Sequence, residues 1–113
     1  MNPDGVYVAI WEFTARPEAR AEFEAFYGPD GEWAQLFRRS KAFLRTEFFR
    51  DRHAENHYVT LDYFASEAGY TDFLREFRQE YDALDRRCSS MREGEKEIGA
   101  FTALGSSVYR AAM

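Results

Sequence analysis

The residues most able to do chemistry lie on one short stretch, Tyr58 to Phe64, which reads as a strand. Side chains alternate across a strand, so Tyr58, Thr60, Asp62 and Phe64 share one face while Val59, Leu61 and Tyr63 share the other. A face that sets a hydroxyl and a carboxylate among aromatic rings can line a pocket, because buried polar groups need partners and a ligand can supply them. The same pattern suits an Asp62 paired with an arginine across the sheet, or one at an exposed edge. Trp33 follows a Gly28-Pro29-Asp30-Gly31 break, at the start of a helix. There it can close the end of a helix–sheet cavity or anchor the helix on the core.

Other reactive side chains point less far. His53 and His57 have the i, i+4 spacing that lets two imidazoles share a metal on a helix, but their segment reads as a hairpin loop with no third ligand. A solvated loop is the expectation, with no metal bound. Cys88 falls on an apolar helical stripe, where a thiol behaves as a small hydrophobe. Gly94 and Gly99 have the spacing of a phosphate loop, yet Ala100 stands where that loop needs lysine.

The elements that must position these groups follow from pattern. Val6 to Phe13 is β-branched and aromatic on both faces, as in a strand covered on both sides. Pro17 opens a helix carrying Phe23, Phe26 and Tyr27, and Asp30 is placed to cap a second short helix with Trp33, Leu36 and Phe37. Phe43 to Arg50 and Tyr58 to Phe64 form a hairpin around the polar Asp51 to His57. Ser66 caps a long helix whose Tyr70, Leu74, Phe77, Tyr81, Leu84, Cys88 and Met91 fall on one stripe, and Gly94 is its expected stop. Ile98 to Ala103 is a short last strand.

This βαββαβ order predicts an α+β, ferredoxin-like fold: a four-stranded antiparallel sheet with both helices on one face, as one domain over residues 1–113. The first strand is too apolar to leave the other sheet face wet, and a second copy of the chain would cover it, so a homodimer is expected.

Composition narrows the function class. A net charge of −5 argues against a nucleic-acid partner and against a membrane surface. One cysteine forbids an internal disulfide, and the polar N-terminus lacks the pattern of a signal peptide, so a cytoplasmic protein is expected. Eleven Phe, seven Tyr and two Trp either fill a small core or line a slot for a flat ligand.

Taken in order, YVAIWEF, Ala15-Arg16-Pro17, FLRTEFFRD, HYVTLDYF and the segment from Phe64 to Tyr70 resemble the antibiotic biosynthesis monooxygenase-like group of the dimeric α/β barrels, over about Tyr7 to Phe101. The resemblance implies two sheets packed across a dimer, with a ligand cavity between each sheet and its helices. It implies oxidation of an aromatic compound by molecular oxygen, without flavin or metal. In the oxygenases of that group a tryptophan ends the third strand, an asparagine precedes it and an aromatic follows in the next helix. Here Phe64, Thr60 and Tyr70 take those positions. The histidine that haem-degrading relatives carry in the second helix is absent from Ser66 to Glu93. The implied substrate slot is Trp33, Phe64, Tyr70 and Phe73, with Thr60 or Tyr70 as hydrogen-bond donors to a developing anion. The alternative is a non-catalytic homodimeric domain whose rings only fill its core.

Overall fold

The computed structural model describes residues 5–110. Strand β1 spans Val6–Ala15, β2 Phe43–Arg50, β3 His57–Phe64 and β4 Arg92–Ala103. Helices α1 (Arg20–Tyr27) and α2 (Glu32–Phe37) follow β1, and α3 (Glu67–Glu76) and α4 (Arg78–Cys88) follow β3. The sheet order is β2-β3-β1-β4, with every neighbouring pair antiparallel. This is the ferredoxin-like arrangement that the element order predicts.

The inner sheet face is set by register. Phe48 lies beside Thr60, Thr60 beside Trp11, and Trp11 beside Glu97, so large rings and small polar groups alternate along the rows under the helices. Phe23 from α1 stacks on Tyr27 and lies 4.9 Å, centroid to centroid, from Tyr58 at one end of β3. Phe73 from α3 and Phe37 from α2 each lie within 6 Å of Phe64 at the other end. Tyr58, Phe23, Phe64 and Phe73 are fully buried.

Four details of the elements differ from the sequence reading. Pro17 opens a 3-10 turn, Pro17–Ala19, and the α-helix proper begins at Arg20. Asp30 does not cap α2: Gly31 holds the cap position, and the Asp30 carbonyl instead accepts from Gln35 Nε2. The long second helix is broken at Phe77, whose φ of −111° and ψ of 27° leave the helical region. Its hydrogen bonds nevertheless run through, since Phe77 N donates to Phe73 O and Tyr81 N to Phe77 O, so the apolar stripe stays in line. Finally, Gly94 is not a helix stop. The chain turns to strand at Arg92, and Gly94 pairs with Thr14 inside β4. Ser66 does cap α3, accepting from Gly69 N at 2.9 Å.

Gly31, the residue before α2, sits tight against the C-terminal end of α1. A Cβ there would sit inside contact distance of the Ala25 and Phe26 carbonyls, which are backbone and cannot swing away, whereas a Cβ on Gly94 would meet nothing. Gly31→Ala should therefore destabilise the fold by about 1–3 kcal/mol through overpacking, and Gly94→Ala should stay within about 0.5 kcal/mol. Urea midpoints of the two variants against the unsubstituted chain check this.

Candidate functional site

The rings at the two ends of β3 prop the helices off the sheet, and the small side chains between them leave a cavity of about 180 Å³. The sheet supplies Trp11 and Phe13 from β1, Thr46 from β2, Thr60 and Asp62 from β3, and Glu95 from β4. The helices close it with Tyr27 from α1, Trp33, Ala34 and Phe37 from α2, and Tyr81 and Asp85 from α4.

Two polar groups on this wall stand out. Trp33 is 8 % exposed, and its indole Nε1 has no hydrogen-bond partner. A buried N–H without an acceptor costs free energy. Asp62 is half-buried and its Oδ1 accepts from Thr46 Oγ1. Burial pushes its carboxyl up to about 6, although the Thr46 hydroxyl works in the opposite direction by stabilising the charged form. Burial also raises the Tyr81 phenol, to about 12, with the Asp62 charge contributing. Burial raises Tyr70 and Tyr27 in the same way. All three phenols therefore remain protonated donors at neutral pH.

One end of the cavity rests on a buried polar cluster. Arg92 donates through Nη1 to Tyr27 Oη at 3.0 Å and to Cys88 Sγ at 3.1 Å, and through Nη2 to Asp85 at 2.9 Å and Glu95 at 3.3 Å. Its side chain is 9 % exposed. Both terminal nitrogens of the guanidinium thus hold Tyr27, Asp85 and Glu95 in place at the wall.

Of the sequence-derived site residues, Trp33 and Thr60 line the cavity. Phe64 and Phe73 lie in the ring cluster behind its wall, and Tyr70 stacks on Tyr7 at 4.8 Å and meets Phe64 edge-on at 5.1 Å. Asp62 and Trp11 carried usable signals, a carboxylate and an indole on inward strand positions; Thr46, Asp85 and Glu95 carried none, because tertiary packing brings them in. His53 and His57 are remote from the cavity. His57 sits between Asp51 Oδ2 at 3.1 Å and Glu12 Oε2 at 3.2 Å, and the His53 backbone N–H donates to Asp51 Oδ1.

The raised Asp62 carboxyl has a thermodynamic signature. Its folded value lies above the ordinary aspartate value of 3.8, so the folded chain holds more protons between those two values and loses stability as pH rises through that window. Asp62→Asn removes the penalty and keeps an acceptor for Thr46. It should stabilise the protein by about 1–3 kcal/mol at pH 8 and have almost no effect at about pH 3, below both values. Denaturant unfolding at the two pH values measures the difference.

No family model matches the chain, and no curated protein does. Solved structures do. The cofactor-independent oxygenase SnoaB from Streptomyces nogalater superposes with a TM-score of 0.68 at 24 % identity, over 90 % of this chain and 96 % of that one. An antibiotic biosynthesis monooxygenase candidate from Caulobacter crescentus gives 0.70 at 16 % identity, over 90 % and 92 %. A Nitrosomonas europaea protein of unknown function gives 0.69 at 14 % identity, over 97 % and 100 %. Across most of its length this chain therefore has the fold of the antibiotic biosynthesis monooxygenase-like proteins.

Proposed function

We propose that the protein binds a small planar aromatic compound in the cavity between sheet and helices, and acts on it as a cofactor-independent monooxygenase. The observation that carries this reading is the half-buried Asp62 carboxylate on the wall of an aromatic-lined cavity between sheet and helices. Flat rings supply apolar contact, and the few polar groups orient a ligand by its oxygens. A ligand ionised to a phenolate or enolate is electron-rich enough to pass an electron to oxygen. The protein's task is then to exclude water and to hydrogen-bond the anion. SnoaB, with the same fold, is a cofactor-independent oxygenase.

A homodimer is part of this reading. By register, Ile10, Phe49, Val59, Leu61 and Phe101 fall on the sheet face away from the helices. Phe49 is 51 % exposed and Phe101 47 %, and a second sheet packed on this face would bury both.

A thermal-shift screen tests the cavity. Its panel holds phenols, naphthols, quinols, anthrone-like polyketides, flavin and haem. Hydroxyarenes should raise the midpoint, by about 2.7 kcal/mol of added stability at a hundredfold excess over Kd, or on the order of 10 °C. Flavin and haem should not. Oxygen uptake with the best ligand separates an enzyme from a binder. Light scattering at micromolar concentration should give twice the 13.3 kDa of one chain, and Phe49→Glu with Phe101→Glu should return it to one.

A further inference from the structure

The charge on the cavity wall says more about the ligand. Asp62, Asp85 and Glu95 all line it, and no Lys, Arg or His does among the described residues. Arg92, which touches the wall from behind, is committed to Tyr27, Cys88, Asp85 and Glu95. A ligand that arrives as an anion finds three carboxylates and no cation on the wall, so the ligand enters neutral. Its hydroxyl then finds an acceptor in Asp62. Size narrows the class further. An apolar cavity of about 150 Å³ is filled by benzene, so 180 Å³ suits one ring or two fused rings rather than a polycyclic system.

Resting on the binding reading above, we propose that the ligand is a neutral hydroxyarene of one or two rings, and that Asp62 takes its hydroxyl proton. In this step the ligand O–H bond breaks, an O–H bond forms on the Asp62 carboxylate, and one negative charge moves from the carboxylate to the arene oxygen. No electron leaves the pair. Thr46 fixes Asp62 from β2, and Tyr81 and Tyr70 face it from the helix side as neutral phenols. Asp85 and Glu95 are the other carboxylates on the wall, both held by Arg92. Asp62 differs from them in accepting from the Thr46 hydroxyl rather than from a guanidinium, so its carboxylate is the one on the wall not tied up by Arg92.

The probe is 2-naphthol, which becomes a strong acid on excitation and emits at longer wavelength once it has lost its proton. It does so in a dry site only when a base lies within hydrogen-bond reach. At pH 8 the probe bound to the unsubstituted protein should emit mainly as naphtholate. Bound to Asp62→Asn it should emit as neutral naphthol, with the naphtholate-to-neutral ratio down at least tenfold, and Asp62→Glu should restore part of it. On lowering the pH the naphtholate signal should fade near 6. An unchanged ratio in Asp62→Asn, with the probe still bound, overturns the role of Asp62 and leaves the cavity reading intact. Failure of both phenol and 2-naphthol to bind the unsubstituted protein overturns the two together.

Discussion

Ring size along the inner face of β3 governs the rest of this structure. Tyr58 and Phe64 stand at its ends and Thr60 and Asp62 between them, so the layer of helices rests on large side chains at both ends and on small ones in the middle. Phe23 and Tyr27 complete one support and Phe37 and Phe73 the other. Close packing would normally erase the gap between them. Here Asp62 stands in the middle of the row, and closing the gap would press its carboxylate against apolar rings. The same four positions thus fix the height of the helices and the chemistry of the space beneath them.

The far wall of that space depends on Arg92. Burying a guanidinium is costly unless its donors find partners, and here Tyr27, Cys88, Asp85 and Glu95 take both terminal nitrogens. The cluster ties α1, α4 and β4 together at one point. It also neutralises part of the acidic wall from behind without presenting a cation to the cavity, which leaves Asp62 as the carboxylate whose charge is least compensated.

Much of the fold is legible in the sequence because strand alternation and helical stripes are local properties. The hairpin, the Ser66 cap and the inward set Tyr58, Thr60, Asp62 and Phe64 all follow from them. The start of β4 does not. Arg92 to Glu97 reads REGEKE, with little strand propensity, and it becomes a strand only because β1 offers an unpaired edge. The break at Phe77 is equally silent, since one residue leaves the helical region while the stripe continues on either side. The candidate site was half legible. Trp33 and Thr60 could be named from pattern, whereas the character of Asp62 depends on Thr46, Tyr70 and Tyr81, which reach it from three other elements.

The chain has two tryptophans, and both line the cavity. Trp11 stacks toward Phe13 on the sheet side, and Trp33 meets Tyr81 edge-on from the helix side, so the two indoles view the same small volume from opposite walls. Indole emission responds to local polarity and to nearby quenching groups. The protein's whole intrinsic tryptophan fluorescence is therefore an optical gauge of that one space, built into the native sequence and sensitive to wetting, filling or collapse with no label attached.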